Sequence, residues 1–505
     1  MIVDAISSRV VKDAIQANRL PNLQRLADAG DMRDQCTSIF PSLTLAATPS
    51  ITTGVYPNSH GMLGAYWYNA KDNRVIYFGA DYEMVFRQGP GQFLTDFLVG
   101  INDTWLNAPT IFERIAEAGL HAASINWFIY KGRTKHEIQM PLLHLVPNAP
   151  AATEIWGPHT LHLGSFTSHS EDDSFPDRRM EEKTSIKDRL GFTDEVTHQV
   201  LRELITQDAL PDFTLAYFPD NDFRSHELGP EAASGTLETL DGYLGELFEA
   251  YGGIDRMLQD VAIIITGDHS QSNIVDDKDA AAIDLTQVIP DFLAAQVGKG
   301  FDDSEDIILC PNGRVVSIYT LDVEQQKFDR IIKRLIANEA VDQVMCNNTY
   351  LNSDQPGYRV FTSERGELLF GRSEAIGNSI QDRYGNQWYC DGSLDVFGEQ
   401  EKDGSRVHFP TYPNPFERIA GLLDSPRGGY IWATPRIGHD FVIPGIDAHT
   451  GGGSHGSLHV LDSSSPIIAS GLPEGVHLPD HPRIVDLVAI CMKALGIETD
   501  NADIN

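Results

Sequence analysis

The sequence predicts an α/β fold: a mainly parallel central sheet covered by helices on both faces, with a smaller inserted α+β cap. Three observations carry that expectation. The first 130 residues alternate apolar strand-like runs with helical patterns, Asp and His residues stand where apolar runs end, and the texture changes between 305 and 440. Taken in order, Ile2 and Val3 form a short first strand leading into Asp4. Leu20 to Leu26 opens an amphipathic helix that ends near Gly30, and Ala108 to Ile115 starts another, closed at Gly119 and followed by a strand from Ala122 to Phe128. From 130 to 192 the rhythm breaks into Pro-, His- and Asp-containing text, including the run from Ser168 to Ser174, which reads as a loop-rich insertion. Alternation resumes with a helix at 193–206 and a strand from Phe213 to Phe218. A long helix at 231–251 follows, where Leu237, Leu240, Leu244, Leu247 and Tyr251 recur at steps of three and four, and then a strand from Val261 to Thr266. Val315 to Tyr319 and Gln325 to Asn338 give the cap a β-α stretch. Pro466 to Ala469 reads as a core strand and Arg483 to Leu495 as a closing helix. A discontinuous core is thus expected at 1–129, 193–304 and 441–505, the insertion at 130–192 and the cap at 305–440.

Composition narrows the function. In 505 residues Asp and Glu number 72 against 38 Lys and Arg, a formal net charge of −34. Such a field repels nucleic-acid backbones and anionic bilayers, so a nucleic-acid polymer is not an expected partner; a small phosphate ester still binds where cations reverse the local field. No apolar run approaches the roughly 18 residues of a membrane span. Five widely spaced cysteines (Cys36, Cys310, Cys346, Cys390 and Cys491) form no C-x-x-C pair and read as reduced thiols. The opening Met-Ile-Val-Asp lacks a basic n-region and an apolar h-region, so a cytoplasmic location is expected. Nothing in the composition speaks to oligomeric state.

Four segments carry metal-type ligands at or just after strand ends: Asp4 after Ile2 and Val3, Asp222 and His226 after Leu215 to Phe218, Asp268 and His269 after Ile263 to Ile265, and His455 between Ser454 and Gly456. Parallel sheets gather functional groups at the carboxyl ends of their strands, so residues hundreds apart can converge. Mixed carboxylates and imidazoles suit zinc or a similar first-row metal. A fifth segment runs P-S-L-T at 41–44, followed by T-T-G-V-Y-P-N-S-H-G at 52–61. Thr44 there is a candidate nucleophile and also a candidate cap for a helix through Leu45 to Thr53, two roles that agree, because a helix N-terminus attracts anions.

With Y-F-P-D-N-D-F-R-S-H-E-L-G-P at 217–230, T-G-D-H-S at 266–270 and G-S-H-G-S at 453–457, the chain resembles the alkaline phosphatase superfamily, in its type I phosphodiesterase/nucleotide pyrophosphatase branch, with phosphonoacetate hydrolase as a relative. The resemblance implies an alkaline-phosphatase-like α/β/α sandwich and a binuclear metal site. It assigns Asp222, His226 and His455 to one divalent ion and Asp4, Asp268 and His269 to a second, with zinc expected first and manganese or iron as alternatives. Thr44 would sit between the ions as nucleophile and pass through a covalent phospho-threonine. Three protein ligands per ion leave open positions for substrate and nucleophile, as an in-line displacement at phosphorus needs.

Two features depart from the family pattern. Only three residues precede Asp4, which means either a short strand or a start downstream of the true one. Ala47, three residues past the nucleophile, stands where related phosphodiesterases carry an Asn that donates to phosphate. Substrate-binding candidates are Tyr66 and Trp67, with Tyr68, as a stacking surface or as core, and Arg224 as an anion contact or an exposed cation. Lys131 and Arg133 are candidates by position. His60 reads as a turn-stabilising residue, and His449 and His459 as support or surface. The expected function is hydrolysis of phosphodiesters or nucleotide pyrophosphates. Phosphonate hydrolysis or phosphomonoesterase activity on the same scaffold is the alternative, and a catalytically silent binding protein the non-enzymatic one.

Overall fold

Alternating apolar residues sort the central sheet into two covered faces. Ile2, Leu215 and Tyr217 join one hydrophobic cluster, while Val3, Ala216 and Phe218 join another, as the two-residue period of a strand requires. The computed structural model describes residues 1–79, 84, 85, 87, 89–139, 152–170, 186–302, 304–351, 355–372 and 379–498. Its central sheet has eight strands: β1 (Ile2–Val3), β2 (Asp31–Thr37), β3 (Ala122–Ile125), β4 (Thr160–Leu163), β5 (Thr167–Ser170), β6 (Phe213–Phe218), β7 (Ile263–Thr266) and β8 (Ser464–Ser470). They lie in the order β2-β8-β7-β1-β6-β3-β4-β5. The run from β7 through β1, β6 and β3 to β4 is parallel, whereas β8 runs antiparallel to β7 and β2, and β5 antiparallel to β4. The strand β1 has two residues, and an open pocket of about 990 Å³ with a mixed lining adjoins Met1 and Ile2.

Helices at 8–16, 21–29, 194–206 and 235–251 bury their apolar stripes on one face; α1 (Thr44–Thr53), Ile111–Glu117 and Leu487–Ala494 cover the other. The helix α2 (Asp220–Leu228) follows β6 directly. The strand expected to reach Phe128 stops at Ile125, because Asn126 turns the chain with a φ of 56°.

The stretch from 130 to 192 is not loop-rich where it is described. Thr134–Gln139 pairs antiparallel with Ala152–Gly157, and β4 extends the central sheet beside β3. All four residues of β4 are buried, polar Thr160 and His162 included, so no alternation marks the strand. Most of the run from Ser168 to Ser174 lies outside the described residues. Residues from Ile307 to Pro435 build a second, ten-stranded sheet, antiparallel except where Ser379–Asp382 meets Arg406–His408. Its helix Gln325–Ile336 buries Phe328, Ile331, Ile332 and Leu335. The cluster containing Ile2 and Tyr217 continues into Met345, Phe370, Trp388 and Phe416, so the two sheets share a core.

Candidate active site

Asp4, Asp222, His226, Asp268, His269 and His455 meet at the carboxyl ends of the parallel strands. Asp4 follows β1, where its amide donates to Phe218 O at 2.9 Å and Ala5 turns the chain with a φ of 53°. Asp222 and His226 are one turn apart on α2, a spacing that puts both on the same face; Asp222 Oδ1 and His226 Nε2 are 3.4 Å apart. His455 Nε2 lies 3.2 Å from His226 Nε2 and 3.7 Å from Asp222 Oδ1. His269 Nε2 lies 3.4 Å from both Asp4 Oδ1 and Asp268 Oδ2, and its ring stacks on His455 at 3.8 Å.

The two sets read from the sequence are therefore one continuous cluster. Ligand atoms of Asp4, Asp268 and His269 lie within 4.8 Å of one another, and so do those of Asp222, His269 and His455, which makes His269 common to both groups. Thr44 is the first residue of α1, with Leu43 rather than Thr44 at the capping position, and its Oγ1 is 3.0 Å from His269 Nε2. Its hydroxyl thus faces the cluster instead of closing its own helix.

Backbone carbonyls fix the imidazoles. His226 Nδ1 donates to Gly453 O at 2.8 Å, His455 Nδ1 to Ser42 O at 2.8 Å, and His269 Nδ1 to Ser270 O at 3.2 Å. Each Nε2 is left as a lone pair turned inward, the tautomer a metal ligand needs. Burial pushes the pKa of all three histidines down to about 4, so they are neutral near pH 7. Burial, then the Asp268 and Asp222 charges, raise Asp4 well above the usual carboxylate range, and burial lifts Asp268 to about 6. Burial acts upward on Asp222 too, but His226, His455, His269 and the Gln271 amide outweigh it and hold it low.

The donor set fits divalent cations. Asp4 Oδ1 and Asp268 Oδ2 are buried and meet no hydrogen-bond donor among the described residues. Two carboxylates crowded in this way favour their charged forms only beside positive charge, which bound cations would supply. The other Asp4 oxygen accepts from the Tyr217 hydroxyl.

The substrate-binding candidates fare differently. Tyr66, Trp67 and Tyr68 are core residues, 2%, 0% and 8% exposed, so they offer a ligand no stacking surface. Trp67 packs edge-on against Trp105, and Tyr66 against Tyr77 in the hairpin Tyr66–Asn69/Arg74–Tyr77. Arg224 is half exposed and pairs with Glu227 at 2.5 Å, because two residues past Asp222 a helix has turned through about 200°. Arg133 pairs with Glu117, and Lys131 contributes its backbone to Thr110 and Asn102. His60 supports its turn as read, bonded to Ser50 Oγ and the Met62 amide. His459 caps a short helix, and His449, held by Asp440 at 2.8 Å, lies tilted against the His226 ring with centroids 4.3 Å apart. Ala47 is buried in α1. The sequence reading gave no role to Gln271, Tyr217 or Asp440, three residues that touch the cluster or its neighbours; Tyr217 opens the motif at 217–230, and Gln271 stands one residue past T-G-D-H-S.

A parallel-centred α/β/α sandwich with an Asp/His cluster and a threonine hydroxyl at its strand ends defines an alkaline-phosphatase-like hydrolase. The model of the family described as type I phosphodiesterase / nucleotide pyrophosphatase matches residues 1–384. The chain belongs to that family and is a phosphoric ester hydrolase. Among solved structures, phosphonoacetate hydrolase from Sinorhizobium meliloti 1021, in complex with phosphonoformate, is similar with 17% identity over 98% of this chain and 94% of that one, at a TM-score of 0.53. Human ectonucleotide pyrophosphatase / phosphodiesterase 5 is similar with 14% identity over 99% and 96%, at 0.54. An inactive variant of the murine protein, in complex with AMP, is similar with 13% identity over 98% and 94%, at 0.53. At these identities the likeness is one of fold. No curated protein sequence matches the chain. Among the described residues, no helix is long and apolar enough to cross a membrane.

Proposed function

We propose that the chain hydrolyses phosphate diesters or nucleotide pyrophosphates through a covalent phospho-threonine on Thr44, with two divalent cations in the Asp/His cluster. The observation that carries this reading is the Thr44 hydroxyl, 3.0 Å from the imidazole common to both ligand groups. Asp4, Asp268 and His269 would hold one ion and Asp222, His226 and His455 the other, zinc being the first candidate and manganese or iron the alternatives. Bound there, such ions lower the pKa of a hydroxyl and offset the charge of a phosphate. Thr44 Oγ1 forms the bond to phosphorus as the ester oxygen leaves with its electron pair and is protonated. Water then cleaves the phospho-threonine and restores the hydroxyl. Thr44 opens α1, so the amide end of that helix faces the substrate anion.

A second reading, phosphonate or phosphomonoester hydrolysis, is favoured by Ala47, which places no donor on the phosphate, and by the burial of Tyr66 to Tyr68, which removes a surface for a nucleoside. Paired assays on metal-loaded protein separate the two: kcat/KM for a nitrophenyl nucleotide ester, the matching monoester and phosphonoacetate. The diester is expected to lead; a monoester advantage of about tenfold, roughly 1.4 kcal/mol, overturns the first reading, and phosphonoacetate outrunning both selects the second. Thr44→Ala should lower kcat by about 10³-fold or more with an unchanged circular dichroism spectrum. Retained turnover would place the nucleophile elsewhere, and no turnover of any substrate by the wild type would leave a binding protein.

A further inference from the structure

Gln271 is fully buried and its side chain carries no part of the chemistry above. Its Nε2 donates to Asp222 Oδ1 at 2.5 Å and to Asp222 O at 3.3 Å. That same Oδ1 is the atom facing His226 and His455 at 3.4 and 3.7 Å. The other end of the amide, Oε1, is buried and meets no hydrogen-bond donor among the described residues. Gln271 Oε1 lies where a side chain on Gly453 would have to go, 2.3 Å from a Cβ built there, and Gly453 O is the acceptor that orients His226. A Cβ on Gly452 would lie 1.8 Å from His226 O, so this glycine pair lets the loop press against the ligand-bearing turn of α2. The strand Ser272–Asn273 pairs antiparallel with Gly453–Ser454, Ser272 opposite Ser454, which brings Gln271 into register with His455.

The side chain thus bonds Asp222 directly and lies beside Gly453, whose carbonyl accepts from His226, while its backbone stands opposite His455 in the two-residue ladder. We propose that Gln271 is a positioning residue for the cation held by Asp222, His226 and His455, fixing the orientation of the Asp222 carboxylate; this rests on the two-cation reading above. Hydrogen-bond partners of metal ligands restrict ligand rotation before the ion arrives, and their loss typically weakens metal affinity by 10–100-fold. Asp4 and Asp268 have other partners, Tyr217 and the amides of Ala5 and His269, so neither carboxylate is held by Gln271.

The test is calorimetric titration of metal-free full-length protein with Zn²⁺, repeated with Co²⁺ by visible absorption, on wild type, Gln271→Leu and Gln271→Met. Met, with its flexible chain, keeps the volume filled should Leu not fold, and thermal melts of the metal-free proteins verify folding. Two ions are expected in the wild type. In either folded variant one site should weaken by about 10–100-fold with a changed cobalt spectrum, while the other keeps its affinity. Two wild-type affinities in a folded variant overturn the role of Gln271 and leave the two-cation reading standing. Fewer than two ions in the wild type overturn that reading, and the role of Gln271 with it. Equal weakening of both sites also overturns the proposal, since it would mark a general structural defect.

Discussion

His162 in β4 is buried, and neither of its ring nitrogens meets a hydrogen-bond partner among the described residues. Burial pushes its pKa down to about 4, against about 6.5 in an unfolded chain. The folded form therefore binds fewer protons between these values, so the stability associated with His162 is complete above pH 6.5 and is lost as the pH falls towards 4. By pH 5 the loss amounts to about 2 kcal/mol. Replacing His162 with Leu, a side chain of similar size, should leave stability at pH 7.5 unchanged or raised, because two unsatisfied polar atoms disappear. Urea unfolding at pH 7.5 and 5 checks this: the drop between the two should shrink by about 2 kcal/mol in the variant. An equal drop in both proteins would mean that His162 titrates alike in the folded and unfolded chain and that burial does not shift it. His60, pushed lower still to about 3 by burial but bonded to Ser50 and Met62, is a contrasting case, because its replacement also removes two hydrogen bonds.

At the scale of elements, a buried ion pair ties the second sheet to the segment that follows His455. Arg314, in the turn between Ile307–Pro311 and Val316–Thr320, donates from Nε to Asp462 Oδ2 at 2.7 Å, and both side chains are fully buried. Its Nη1 reaches the carbonyls of Arg436 and His439. Asp462 also accepts from Ser272 Oγ, next to Gln271, and from Ser457, two residues past His455. Arg314→Met should cost about 3–5 kcal/mol by leaving a buried carboxylate unpaired, and Arg314→Met with Asp462→Leu should cost less than the single change. Urea unfolding of the two variants measures the difference, and a double variant no more stable than the single one would locate the cost in the carbonyl contacts. This pair also marks how far the sequence was legible. Phe213–Phe218 and the Leu stripe of 235–251 could be read because long apolar periods announce themselves locally. Asp4, Asp268 and His269 could be singled out because they stand at the ends of such runs, and His455 by its G-S-H-G-S motif. β2, with the polar sequence Asp31–Thr37, and the short strands at 134–163 were not legible, since their burial comes from neighbours distant in the chain. Of the two readings of Tyr66 and Trp67 the structure shows core, and the sequence left both open because nearness to the Thr44 motif says nothing about Tyr77 and Trp105, which pack against them. Gln271 escaped notice because an amide carries no signature of metal chemistry until its partner is known.

For the whole molecule the dominant long-range term is charge. A formal −34 surrounds a site meant for anions, and two divalent cations, +4 in all, would leave about −30. Close to the cluster the cations govern, because contact distances are short and the site is partly buried. Further out the surface field governs, and it repels an approaching phosphate ester until salt screens it. The screening length falls from about 30 Å at 0.01 M to about 8 Å at 0.15 M ionic strength, from roughly the size of the molecule to the size of the site. Raising the salt over that range should therefore increase kcat/KM for an anionic diester severalfold while kcat, set after binding, stays nearly constant. The same screening relieves repulsion among surface carboxylates, so Tm should rise with salt as well. Steady-state kinetics at fixed pH and metal activity, with a non-coordinating salt, check the first expectation, and thermal melts the second. A kcat/KM that falls with salt would show that local cationic attraction reaches beyond the site and outweighs the global charge, in which case neutral and anionic esters should converge in rate at high ionic strength.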